Sequence, residues 1–176
     1  MIANTSIPGD SLTRSTAAIA LGSNLPSAFG AREDNVREAV RRISDLGEVQ
    51  AVSSFFDTEP VGYLGQPRFV NAVLLLRTVL EPLPLLRALL SIEQSMGRRR
   101  EGIPAKGPRL IDLDLLWVED QRVETPELTL PHPGMAERSF VLAPLLELAP
   151  DWIHPVLGRS VRQMHALVSG EDRRAL

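Results

Sequence analysis

The sequence has no cysteine, which excludes disulfides and thiolate metal sites and is compatible with a reducing compartment. No apolar run approaches the roughly 20 residues that a membrane-spanning helix requires. Neither GxxxxGK[ST] nor GxGxxG occurs, so a P-loop or Rossmann nucleotide site has no support. A strong charge of one sign is also missing. With 19 Lys and Arg against 22 Asp and Glu, the formal net charge is -3, which gives no reason to expect nonspecific nucleic-acid binding. Any basic site must be local. Residues 1–16, "MIANTSIPGDSLTRST", lack the basic start and apolar middle of a secretory signal and read as a loose polar extension. A cytoplasmic enzyme or binding domain with no nucleic-acid or membrane partner is expected.

What is present fits one domain. The 176 residues suffice for one full core and are short for two, so residues 17–176 are read as a single domain. "AAIAL", residues 17–21, is an apolar run closed by "GSN" and reads as a buried strand with a turn. Val36, Ala39, Val40 and Ile43 have helical spacing, and Gly47 is a stop signal. Val49 to Phe56 reads as extended, residues 57–68 as a loop, and "FVNAVLLLRTV" as a second buried strand. Leu85, Leu89, Ile92 and Met96 predict another helix ending at Gly97, and the strand "LIDLDLLWV" follows an arginine-rich loop. The order is α+β, a ferredoxin-like βαββαβ core. It implies an antiparallel or mixed antiparallel sheet with helices packed on one face. A hairpin through "VETPELTLPHP" and helices near 139–148 and 161–168 would cover further sheet surface.

The candidate chemistry lies in three places. Within "GPRLIDLDLLWVED", residues 107–120, strand alternation puts Asp112 and Asp114 on one face and Ile111, Leu113 and Leu115 on the other. Two adjacent like charges repel on a plain surface, whereas a divalent cation reverses the sign. Magnesium is commonly held by one or two carboxylates together with substrate phosphates. Just before that strand, "GRRREGIPAKGPR" gathers Arg98, Arg99, Arg100, Lys106 and Arg109. Such a run is commonly a solvated loop, but guanidinium groups beside a carboxylate pair also suit a polyphosphate. In "LPHPGMAERSF", His132, Arg138 and Phe140 lie close together. Asn71 stands in an apolar strand two residues from Phe69, after "TEPVG". This is either a hydrogen-bonded core amide beside a core aromatic or a pocket for a flat, nitrogen-rich ring.

Five blocks in one order, "IALGSNL", "SSFFDTEPVG", "FVNAV", "GPRLIDLDLLW" and "LPHPGMAERSFVLAPL", together with an "IEQSMGR" helix end, resemble the 6-hydroxymethyl-7,8-dihydropterin pyrophosphokinases. The resemblance implies transfer of diphosphate from ATP to a pterin alcohol in folate biosynthesis, with release of AMP; the expected partners are these small-molecule substrates, and a monomer is expected. Asp112 and Asp114 would hold two Mg2+ ions, with Arg98 and Arg109 gripping the phosphates as catalytic groups. Phe69 and Phe140 would sandwich the pterin, and Thr58, Asn71 and the backbone from Pro60 through Val61 to Gly62 would read its polar edge. Glu93, Arg98, Arg100, Arg109, Leu115, Thr129, His132 and Arg138 would line the ATP site. The chain departs from the family pattern at Lys106, where many members carry an aromatic residue, and at Leu90, where some carry glutamine.

Two rival readings follow from the same residues. A carboxylate pair on a strand also serves nucleotidyltransferases, which release pyrophosphate. A noncatalytic ferredoxin-like module would bind no nucleotide in a metal-dependent way.

Overall fold

The computed structural model describes residues 13–62, 64–98 and 107–172. Its core runs β1 (Ser15–Ser23), α1 (Arg32–Ile43), β2 (Glu48–Val52), β3 (Phe56–Thr58), β4 (Phe69–Thr78), α2 (Pro82–Ser95) and β5 (Asp112–Val118). Then come a small hairpin, β6 (Val123–Glu124) with β7 (Thr129–Leu130), and two helices, α3 (Ser139–Leu148) and α4 (Val161–Asp172). Ser15 and Thr16, read from sequence as the end of a loose extension, already belong to β1, where they pair with Thr78 and Arg77. The rest of the expected extension, residues 1–12, lies outside the described residues.

The main sheet has the order β2-β4-β1-β5, with β3 also pairing with β4. This is the ferredoxin-like arrangement, and every pairing in it is antiparallel, within the expected antiparallel or mixed sheet. The single extended segment expected over 49–56 is broken into β2 and β3. Between them Ser53 keeps the ladder intact: its amide donates to the Val73 carbonyl at 2.9 Å and its hydroxyl accepts the Val73 amide at 2.9 Å. A hydroxyl that replaces a backbone partner lets the strand bend without orphaning a buried amide.

Both faces of the sheet are covered, so the expectation of helices on one face applies to the core alone. β1 and β4, in the middle, read as near-continuous apolar runs for that reason. On one face Ile19, Leu21, Leu74, Leu76, Leu113 and Leu115 pack with Val36 and Ala39 of α1 and Leu85 and Leu89 of α2. On the other, Ala18, Val73, Leu116 and Trp117 pack with Leu142 and Leu145 of α3 and Val161 and Met164 of α4. Trp117 stacks on Trp152, ring centroids 4.0 Å apart. A register shift at Ala18/Ile19 places both Leu116 and Trp117 on the α3 face, as a β-bulge does.

The helix termini follow ordinary chemistry. Asp34 accepts the Ala31 amide at 3.0 Å at the start of α1 and, with Glu33, puts acid at that end, while Arg41 and Arg42 put base at the other. Pro82 opens α2, where its missing N–H costs nothing. Gly97, at φ 94°, stops α2 in a conformation that favours glycine.

Candidate active site

The site is built on the α3 face of the sheet, at the end that α3 leaves uncovered. β1 supplies small residues there. Ala20 pairs with Asp114, and Gly22 pairs with Asp112 on one side and Asn71 on the other. A Cβ at Gly22 would lie 3.0 Å from Asn71 Oδ1 and 3.9 Å from Phe69 Cδ1, so glycine is what permits this close approach.

Two cavities meet at the aspartates. The first, about 320 Å³, is lined by Thr58, Phe69, Asn71, Arg98, Arg109, Arg138 and Phe140, with Gly22 and Ala20 as its floor. The second, about 310 Å³, is lined by Leu90, Glu93, Leu115, Thr129 and His132 among others. Arg98, Asp112, Asp114 and His132 line both.

The polar contacts are dense around Asp112. Its Oδ1 accepts from Arg98 Nη1 at 2.6 Å and its Oδ2 from Arg109 Nη1 at 2.5 Å. Arg98 also pairs with Glu93. Glu93 is 2% exposed and accepts the Leu113 amide at 2.7 Å, so one buried carboxylate links α2, β5 and the arginine. Burial opposes the charge on Arg98, but Asp112 and Glu93 outweigh it and push its pKa up. Asp114 is less well compensated: Arg138 Nη1 approaches its Oδ2 only to 3.6 Å. Burial first, and then the neighbouring Asp112, raise the Asp114 pKa. Burial lowers the His132 pKa against the pull of Asp114. The His132 amide donates to the Leu116 carbonyl at 2.8 Å, which fastens "LPHP" to β5.

On the other side of the first cavity, Asn71 Nδ2 donates to Thr58 Oγ1 at 2.7 Å, and Arg109 and Arg138 lie over the rings of Phe69 and Phe140 at 5.8 and 6.0 Å. Val61 lines this cavity. Pro60 and Gly62 stand beside it in the loop without lining either cavity. Arg99, Arg100 and Lys106 lie outside the described residues.

Two contributors escaped the sequence reading. Asn24, 2% exposed, was read as part of a turn. Its Oδ1 accepts the Arg109 amide at 2.8 Å, and its Nδ2 donates to Gln66 Oε1 and the Pro67 carbonyl, each at 3.0 Å. Glu59 lines the first cavity and pairs with Arg68. Nothing in local spacing marks either residue. Glu93 does carry a signal, because it continues the Leu85 and Leu89 stripe at intervals of four along the buried side of α2.

The pair Asp112 and Asp114 suits a hard cation. Among the described residues no group of three or more His, Cys, Asp or Glu could hold a metal, so a cation there would complete its shell from water and substrate oxygens. Magnesium does this with phosphates.

An antiparallel ferredoxin-like sheet carrying two carboxylates between two cavities, ringed by guanidinium groups, defines a domain of the phosphotransferase kind. Residues 18–150 match the 7,8-dihydro-6-hydroxymethylpterin-pyrophosphokinase family, and the chain belongs to it. It is 39% identical over 150 residues to the 2-amino-4-hydroxy-6-hydroxymethyldihydropteridine pyrophosphokinase of Synechocystis, covering 84% of this chain and 73% of that protein. The protein of the same name from Bacillus subtilis is 44% identical over 134 residues, 75% of this chain and 77% of that one. The folic acid synthesis protein fol1 of Schizosaccharomyces pombe is 40% identical over 148 residues, 83% of this chain, but this chain spans only 19% of its length. In fold, the Plasmodium falciparum HPPK-DHPS crystal structure matches 93% of this chain and 46% of its own with a TM-score of 0.70 at 14% identity.

Proposed function

We propose that the chain transfers diphosphate from ATP to 6-hydroxymethyl-7,8-dihydropterin and releases AMP, a step in folate synthesis. One observation carries this reading: Asp112 and Asp114 lie where the two cavities meet. A ring lodged between Phe69 and Phe140 would present its hydroxymethyl group to the carboxylate pair from one side, and a nucleotide beside Leu115 and Thr129 would present its phosphates from the other. Asp112 and Asp114 would hold two Mg2+ ions, which when bound supply charge neutralisation for the polyphosphate. Asn71 and Thr58 would orient the ring by its polar edge. Arg98 and Arg109 would bind phosphate oxygens and stabilise the charge that develops as the hydroxyl oxygen bonds to the β-phosphorus and AMP departs. Such chemistry depends on positioning and electrostatics more than on covalent help.

The test is product analysis with ATP, Mg2+ and the pterin alcohol. AMP and the pterin diphosphate are expected. ADP, or pyrophosphate with an adenylylated acceptor, would refute the assignment. Asp112→Ala and Asp114→Ala are each expected to abolish turnover while far-UV circular dichroism stays unchanged.

A further inference from the structure

Both carboxylate oxygens of Asp112 already have a cationic partner. One of its carboxylate oxygens takes Arg98 at 2.6 Å and the other takes Arg109 at 2.5 Å. These are charge-assisted contacts, between side chains only 16%, 20% and 22% exposed. Asp114, by contrast, has a cation no nearer than Arg138 at 3.6 Å among its described ion pairs. The asymmetry matters because a free divalent cation that takes Asp112 must either share its carboxylate with two guanidinium groups or displace one, and in both cases it sits close to like charge.

Each arginine also has a second tether that does not involve Asp112. The Arg98 atom that touches Asp112, Nη1, also pairs with Glu93, which the Leu113 amide holds in place. Arg109 donates through Nε to the Gly107 carbonyl at 3.2 Å and lies over the Phe69 ring, while Asn24 holds its backbone. Either guanidinium can therefore leave Asp112 and stay within the site.

We propose that Arg98 and Arg109 are a resident counter-cation for Asp112, keeping free divalent cations off the carboxylate pair until a polyphosphate arrives to take over the guanidinium groups. The inference rests on the reading of Asp112 and Asp114 as a cation site. A cation arriving alone weakens or breaks charge-assisted hydrogen bonds to Asp112 and leaves Arg98, held by Glu93, and Arg109, held at Gly107 and Phe69, as like charges beside it. A cation arriving with a polyphosphate exchanges partners: phosphate oxygens replace the carboxylate on each arginine, and the carboxylate goes to the cation. The number of charge-assisted contacts is then conserved. In this role Arg98 and Arg109 are positioning residues as well as phosphate ligands, and their effect is measurable without catalysis.

The experiment titrates Mn2+ into the full chain without nucleotide and counts free Mn2+ by its electron paramagnetic resonance signal. Arg98→Met and Arg109→Met are compared with the unmodified protein and with Arg37→Met, which removes an equal charge at a side chain 63% exposed. Each of the first two variants loses a charge-assisted hydrogen bond to Asp112 and is expected to bind Mn2+ about tenfold or more tightly than the unmodified protein. Arg37→Met is expected to match the unmodified protein. A second titration adds a nonhydrolysable ATP analogue, with the analogue alone as reference, and the unmodified protein is expected to bind Mn2+ tightly there. If that ternary binding is intact but neither Arg98→Met nor Arg109→Met tightens binary binding, the counter-cation role is overturned and the cation site stands. Equal tightening in Arg37→Met would also overturn it, as an effect of net charge. Absence of ternary binding in the unmodified protein would overturn the cation site and this proposal together. The two variants test the same point through different oxygens of Asp112, so the loss of one to misfolding leaves the other decisive.

Discussion

Asn24→Ala removes a single side chain that holds both loops flanking the cleft. Three hydrogen bonds go with it: the Arg109 amide to Oδ1 at 2.8 Å, and Nδ2 to Gln66 Oε1 and to the Pro67 carbonyl at 3.0 Å each. The backbone bond from the Asn24 amide to the Arg109 carbonyl, 3.1 Å, survives. At about 0.5–1.5 kcal/mol net for each bond, and with the side chain 2% exposed so that little water can substitute, the loss is about 2–4 kcal/mol. That is a large part of the 5–15 kcal/mol typical of a domain. At roughly 2–4 °C for each kcal/mol, the melting temperature should fall by about 4–16 °C. Activity should fall as well, because a 1 Å misplacement of a catalytic group can cost about a hundredfold and the Arg109 backbone loses its anchor. Asn24→Asp separates the two loops: it keeps an acceptor for the Arg109 amide and removes the donor to Gln66 and Pro67. Urea unfolding followed by circular dichroism, with AMP release measured on the same samples, checks both effects. A stability loss under about 1 kcal/mol together with unchanged kcat/KM in Asn24→Ala would refute the claim that this side chain positions the cleft.

Two further outcomes are expected. Gly22→Ala places a methyl group 3.0 Å from Asn71 Oδ1, so the amide must shift by a few tenths of an ångström against its bond to Thr58. Losing one neutral hydrogen bond corresponds to about 1 kcal/mol, so KM for the pterin should rise about fivefold while KM for ATP holds, as steady-state kinetics would show. Asp114→Asn should leave the metal-free protein at least as stable as the unmodified one at neutral pH. Burial and Asp112 raise the Asp114 pKa in the folded state, so the protonated acid favours folding. That contribution is complete below the ordinary carboxylate range and is lost as pH rises through the raised value. The difference between the two proteins in urea midpoint, measured with chelator present, should therefore shrink as pH falls; a less stable Asp114→Asn at neutral pH would contradict it.

Helical spacing was enough for α1 and α2, and apolar runs bounded by turn signals were enough for β1, β4 and β5. Such patterns could not locate the break after Val52, where Ser53 substitutes a hydroxyl for a ladder partner. Nor could they show the bulge that turns Leu116 and Trp117 to the same face, since a run of apolar residues looks the same with or without one. Coverage of both faces was only partly legible: the C-terminal helices were expected, but their placement opposite α1 and α2 depends on tertiary packing.

The site divides in the same way. Asp112 and Asp114 stand out because two charges at strand spacing contradict the apolar residues around them. Asn24 does not stand out, because "GSN" is ordinary turn chemistry and its partners lie 42, 43 and 85 residues away. Gly22 is equally silent in the sequence, yet the row Asp112–Gly22–Asn71 depends on it. With a side chain at its centre, that row would have a wall between the carboxylates and the ring pocket. Small residues on β1 and charged or polar residues on its two neighbours are therefore one arrangement. The central strand leaves room so that groups on the flanking strands can face a common space, and the uncovered end of the α3 face is where that space opens.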